Sequence, residues 1–179
     1  MEHEDGTTTT SAQDFVDALA EPVVVFDRHL DVVAANRLAG ALSASLTVGT
    51  NLARFTFLNP WVEDSVDGWE AEAHRTAAML RDSLDEHDAD DRFQELLGEL
   101  MARSTTFATE WAGGAVRPTR RGESAFENPL VGRIDLRWEQ LRRLEDPEHV
   151  LVVWTATDDE SAARLTTLRG LLDEGATTA

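Results

Sequence analysis

The sequence predicts an α+β domain: an antiparallel sheet assembled from strands near both ends of the chain, with helices strung between them. Three observations carry this. Residues 116–157, VRPTRRGESAFENPLVGRIDLRWEQLRRLEDPEHVLVVWTAT, read as a string of strands with alternating sides whose last member is wholly apolar. Residues 23–35, VVVFDRHLDVVAA, read as strand, turn and strand. Between them, apolar residues recur at the helical period, so the strands at the two ends must meet in one sheet.

The elements follow in order. Met1 to Thr10 is acidic and threonine-rich without apolar spacing, which marks residues 1–10 as a flexible leader. Ser11, with Asp14 three residues on, caps a short helix carrying Phe15, Val16 and Leu19, and Pro22 ends it. Val23 to Phe26 is apolar at every position, the mark of a strand buried on both faces. Asp27 to Leu30 turns the chain, Val32 to Ala35 returns, and Asn36 caps a helix over residues 37–46. Gly49 breaks that helix, and Asn51 caps another carrying Leu52, Phe55 and Leu58.

Asn59-Pro60 starts the next helix and Asp67-Gly68 interrupts it. From there Trp69, Ala73, Thr76, Leu80 and Leu84 make one helical face. A second helix restarts at residues 88–91 with Phe93, Leu96, Leu97, Leu100 and Met101 on its stripe. Ser104 caps a third that presents Phe107 and Trp111 one turn apart, and Gly113-Gly114 stops it. Ile134, Leu136 and Trp138 alternate with Arg133, Asp135 and Arg137 in a half-buried strand. Asp146-Pro147 makes a turn before the central strand Val150 to Trp154, and a last helix from about Asp158 carries Ala162, Leu165, Leu168 and Leu172. The domain spans residues 11–173, with a flexible tail at 174–179.

Composition excludes several functions. There is no cysteine, so disulfides, thiolate metal sites and thiol redox sensing are ruled out. A formal net charge of -18 repels phosphate backbones, so the chain does not bind nucleic acid by itself. Its 16 basic residues are all arginine, for which coding bias is a simpler account than salt adaptation. No apolar run reaches the roughly 20 residues of a membrane span, and the acidic start is unlike a signal peptide. A soluble, cytoplasmic protein is expected.

The segment VVAANRLAGAL has the strand, asparagine and apolar-helix opening of a PAS-like domain. Five segments then make a closer match, in order: LAEPVVVFDRHLDVVAANRLAGAL, GTNLARFTFLNP, FQELLGELMARSTTFATEWA, ENPLVGRIDLRWEQL and DPEHVLVVWTA. Together they cover about residues 13–172, and the chain resembles the ligand-binding domain of MmyB-like transcription regulators, an Xre-type helix-turn-helix group. The resemblance implies a PAS-like antiparallel sheet with several helices over one face and further helices at the chain's ends. It implies an effector-binding domain that takes a small apolar molecule, such as a fatty acid, in a cavity between sheet and helices. DNA would be reached only through a helix-turn-helix domain that this chain does not contain, as in a fragment of a longer regulator. Xre-type regulators act as dimers, so a homodimer built on the first and last helices is expected. The alternative is a PAS-like dimerisation or docking module with no ligand.

An apolar ligand needs a concave, mostly hydrophobic cavity with a few orienting polar groups. The large side chains on the right elements are Phe55, Phe57, Trp69, Leu80, Phe93, Leu97, Met101, Phe107, Trp111 and Trp138. Core filling is the plainer reading of any one of them. A carboxylate would want an arginine: Arg54, inside the apolar stretch 52–58, is the first candidate if it turns inward, with Arg75 and Arg81 next. Arg137 faces away from the apolar side of its strand. Capping explains Asn36 and Asn51, and Pro60 and Pro129 are structural punctuation.

Catalysis and metal binding find little support. The histidines at 3, 29, 74, 87 and 149 are scattered, and only Glu86, His87, Asp88, Asp90 and Asp91 cluster. That cluster lacks the glycine of a calcium loop and the paired histidines of a zinc site, so it reads as a solvated turn. Ser124 has no nucleophile-elbow setting and no evident histidine partner. No enzyme activity, cofactor or metal is expected.

Overall fold

The run Val23–Phe26 becomes β1 (Val23–Asp27), buried along its apolar length. The computed structural model describes residues 12–65, 69–87, 89–113, 119–143 and 146–177. Around β1 a five-stranded antiparallel sheet forms in the order β2-β1-β5-β4-β3. The other strands are β2 (Val32–Ala35), β3 (Arg121–Asn128), β4 (Gly132–Arg143) and β5 (Asp146–Ala156). The apolar strand β5 is central, between β1 and β4, as its sequence requires. It begins at Asp146, so Asp146-Pro147 opens the strand rather than forming the turn expected there. Residues 144–145, between β4 and β5, lie outside the described residues.

The helices are α1 (residues 12–17), α2 (Arg37–Leu42), α3 (Leu52–Leu58), α4 (Pro60–Ser65), α5 (Trp69–Glu86), α6 (Asp91–Arg103), α7 (Thr105–Ala112) and α8 (Asp159–Thr177). α2 stops four residues short of expectation, because Ser43 caps a separate 3-10 turn over Ala44–Leu46. Asn36, Asn51, Asp90 and Ser104 each accept a backbone N–H of the turn that follows, in β-region backbone, as N-caps do. The leader at 1–10, the Ser11 cap, the Asp67-Gly68 interruption and Gly114 lie outside the described residues. α8 runs to Thr177, past the domain end expected at residue 173.

Alternation along the strands divides the core in two. The inner face presents Val24, Phe26, Ile134, Leu136, Trp138, Val152 and Trp154 to α2, α3 and α5–α8. The outer face presents Val23, Val25 and Ala34, covered by Val16 of α1 and by Leu19 just beyond its end. Phe15, expected on that stripe, is 55% exposed, since it lies about 100° around the helix from Val16. α8 does not share the outer face: Leu165 and Leu168 join the inner core, where α8 packs against β4, β5 and α2. The result is the expected α+β arrangement, with a layer of helices over one face of an antiparallel sheet and helices at both ends of the described residues.

Candidate ligand site

α5 packs against α3 and α7 and reaches the inner face of the sheet through side chains near both its ends. At its start, the guanidinium of Arg75 stands 4.7 Å from the centroid of the Trp138 ring, and its Nη1 donates to Ser124 Oγ at 3.3 Å. Glu72, one turn earlier, pairs with Arg75. At its end, Ser83 Oγ donates to the Arg28 carbonyl at 2.6 Å, and Arg142 of β4 pairs with Asp82 at 3.2 Å and with Glu86. α5 is therefore tethered to the sheet by polar contacts at both ends, with Thr76, Met79 and Leu80 buried between them.

Below α5, the register places Gly122, Trp138 and Trp154 side by side on β3, β4 and β5. Gly122 is required there by contact: a Cβ on it would meet Trp138 Cζ2 at 2.6 Å. The indole cannot retreat easily, because Arg75 covers it and Trp154 stands beside it. Gly122→Ala is expected to cost about 1–3 kcal/mol through overpacking, read as a lowered denaturation midpoint. An unchanged midpoint would show that the indole has another place to go.

Of the residues anticipated for a ligand, Phe57, Trp69, Leu80, Phe93, Phe107 and Trp138 are all buried in the inner core. Leu97 and Trp111 are half-buried against it, and Phe55 is half-buried on α3. Phe107 sits between Phe57 (centroids 5.0 Å, edge-on) and Trp111 (5.4 Å, stacked), with Arg81 4.4 Å over the outer indole.

Two anticipated positions need correction. Met101 is 45% exposed: α6 buries Phe93, Leu96 and Leu100, and position 101 falls about 80° around the helix from 93. Arg54 turns outward, and its Nε donates to Glu99 Oε2 at 2.7 Å on a largely exposed surface. α3 buries Leu52, Ala53, Thr56 and Phe57, so an apolar sequence there is not an apolar face, and Arg54 falls off the buried stripe.

The two depressions that stand out do not amount to an enclosed apolar cavity. One, of about 410 Å³, is open at the sheet margin and lined by Thr119, Arg120, Arg121, Glu139, Gln140 and Leu141. The other lies under the end of α5, among Arg28, Met79, Ser83, His87, Arg142 and Glu148, and at about 20 Å³ holds about one water.

The acidic cluster at the α5–α6 turn disperses into structural roles. Glu86 serves Arg142, His87 Nδ1 donates to the Ser83 carbonyl at 2.9 Å, and Asp90 caps α6; Asp88 lies outside the described residues. Sequence reading missed a tighter group, Asp27, His29 and Asp31, whose ligand atoms lie within 4.8 Å of one another. Arg92 pairs with Asp31 and lies 3.9 Å from Asp27, so an arginine already supplies the countercharge. Among the described residues Ser124 accepts from Arg75 and no histidine bonds to it.

The Asp90 carboxyl is held below the ordinary aspartate range, first by the Phe93 backbone N–H and then by His29, whose Nε2 is 2.9 Å away. A depressed folded pKa gives stability that is present above the unfolded value and lost as pH falls through the folded one. Asp90→Asn keeps a cap and removes this titration. The stability gap between wild type and Asp90→Asn should therefore begin to narrow below about pH 5 and keep narrowing as pH falls past the ordinary aspartate value in thermal melts; a constant gap would contradict it.

The model of one protein family, the MmyB-like transcription regulator ligand binding domain, matches residues 9–168. The chain belongs to this family. The expected resemblance is thereby confirmed over nearly the whole MmyB-like domain. No curated protein matches it. Among solved structures it is similar to the PAS domain of an HTR-like protein from Haloarcula marismortui, at 15% identity and a TM-score of 0.35, covering 84% of this chain and 93% of that one. No described helix of the MmyB-like domain is long and apolar enough to cross a membrane.

Proposed function

We propose that this MmyB-like domain is the effector-binding part of a transcription regulator. It takes a small apolar molecule, such as a fatty acid, between the inner face of the sheet and the helices above it. The observation that carries the reading is the family match over residues 9–168. Occupancy would shift the arrangement of a DNA-binding helix-turn-helix partner domain, in a homodimer and in the cytoplasm. The ligand must favour one arrangement over the other for this to work. No enzyme activity is part of the proposal, since Ser124 meets an arginine rather than a general base.

Neither of the two depressions is an enclosed apolar cavity of the usual 300–1,000 Å³ class, so in this reading α5 and its neighbours move off the sheet to admit the ligand. The same observation favours the second reading, a PAS-like dimerisation or docking module without ligand. Phe15 on α1 and Leu171 on α8, 55% and 41% exposed, would then belong to a subunit contact. Masses of the purified protein under native and denaturing conditions, with a solvent extract run for lipids, separate the two. A released adduct of fatty-acid size supports the sensor. A bare protein whose melting temperature no fatty acid raises, and which is dimeric, supports the module.

A further inference from the structure

The turn between β1 and β2 holds a buried nitrogen with nothing to bond. His29 is 7% exposed, and its Nδ1 has no hydrogen-bond partner among the described residues. The other ring nitrogen is committed: Nε2 lies 3.0 and 2.9 Å from the two oxygens of Asp90, and a carboxylate only accepts. Nε2–H therefore donates to Asp90, and a neutral imidazole then presents a lone pair at Nδ1. What Nδ1 faces is Asp27 Oδ2, 3.6 Å away, a second acceptor. Two acceptors turned towards each other ask for a cation between them.

Asp31 completes the group, since the ligand atoms of Asp27, His29 and Asp31 all lie within 4.8 Å of one another. Each carboxylate is oriented through its other oxygen. Asp27 Oδ1 accepts from His29 N at 2.8 Å and Asp31 N at 2.9 Å, and Asp31 Oδ1 accepts from Asn51 Nδ2 at 3.0 Å. Asp27 Oδ2, Asp31 Oδ2 and His29 Nδ1 are left for one ion. Arg92 meets the two Oδ2 atoms but leaves Nδ1 without a donor, and its side chain is 59% exposed, with open solvent to swing into. An imidazole nitrogen selects a cation of the zinc class over Mg2+ or Ca2+, which take oxygen. Two ligands at about 2.1 Å around a tetrahedral ion stand about 3.4 Å apart, close to the 3.6 Å between Nδ1 and Asp27 Oδ2.

We propose that Asp27 Oδ2, His29 Nδ1 and Asp31 Oδ2 bind a divalent transition cation of the zinc class, with water in the fourth place. Arg92 is the group the ion displaces. Asp90 is a positioning residue, the carboxylate behind the histidine that fixes its tautomer and ring orientation. Because Asp90 also caps α6, the ion would fasten the β1–β2 turn to the start of that helix. The site lies on the turn, not between sheet and α5, and does not depend on an apolar ligand.

The test titrates Zn2+ into the whole chain by calorimetry, with Mg2+ as the control for general attraction to an acidic surface. Imidazole signals of the nitrogen-15-labelled protein identify the nitrogen that binds. Zn2+ should bind more tightly than Mg2+ and move the His29 Nδ1 signal, while Nε2 keeps its proton. His29→Gln leaves an amide for Asp90 but removes Nδ1, and should weaken Zn2+ by at least about tenfold. Arg92→Gln removes the competitor and should strengthen it. If His29→Gln fails to fold, Asp31→Asn and the wild-type ring signals still decide. Zn2+ that binds without moving His29 Nδ1 has gone to other histidines or to surface carboxylates, and overturns the inference. Zn2+ no tighter than Mg2+ overturns it too, and leaves His29 as a structural link between Asp27 and Asp90.

Discussion

Asn36→Ala should cost about 2–6 kcal/mol, because it strands two buried donors at about 1–3 kcal/mol each. Asn36 Oδ1 accepts from Ala39 N at 3.0 Å, which caps α2, and from Val23 N at 3.2 Å, which starts β1. Its Nδ2 donates in the other direction, to the carbonyls of Glu21 at 2.6 Å, Val16 at 3.3 Å and Leu19 at 3.4 Å. One side chain therefore joins the end of α1, the first residue of β1 and the start of α2. Asn36→Asp separates the two duties: it keeps the cap acceptor but turns a second oxygen towards three carbonyls. It should recover only part of the loss in a denaturant titration. Wild-type stability in Asn36→Asp would reduce the residue to a cap and sink the wider role.

Phe107→Ala should cost about 3–5 kcal/mol, the range for removing a fully enclosed phenyl ring. Phe107 is 0% exposed and is packed on both sides by rings, Phe57 and Trp111, so neither neighbour can fill the hole by a simple rotation. The loss should appear in the midpoint of chemical denaturation with little change in its slope. A cost below about 1 kcal/mol would mean that α7 collapses onto α3 and α5, and that this aromatic stack is not a fixed part of the core.

The difference between these two residues shows what a sequence displays. Phe107 was visible because an aromatic pair one turn apart on a capped helix has one plausible destination. Asn36 was visible as a cap, a local property, but its bonds to Val16, Leu19 and Glu21 depend on α1 folding back over β1, which no spacing encodes. The strands followed the same rule. β1, β4 and β5 announce themselves by apolar runs or alternation, whereas β3, RGESAFEN, carries only Phe126 as a large apolar residue and was not singled out. At the candidate site, Trp138 was named from its alternating strand. Trp154 is hidden inside the run VLVVW, where every residue is apolar and the face cannot be read until β4 fixes the register. Arg54 misled because a seven-residue helix with apolar residues all around hides which side is buried. Gly122 becomes informative only once the register sets it beside Trp138.

The sheet order also governs how this chain can be made. β1 leaves the ribosome well over a hundred residues before β5, yet β5 is one of its two neighbours, in the register Val25 to Leu151. Until β5 emerges, β1 holds only the short β2, and its apolar residues have no complete core to enter. Pairing so distant in sequence makes folding slow and puts its decisive step after β5 has emerged. Shortening the chain from its C-terminal side into β5 would therefore not trim an edge. It would remove the strand on which both halves of the sheet are assembled.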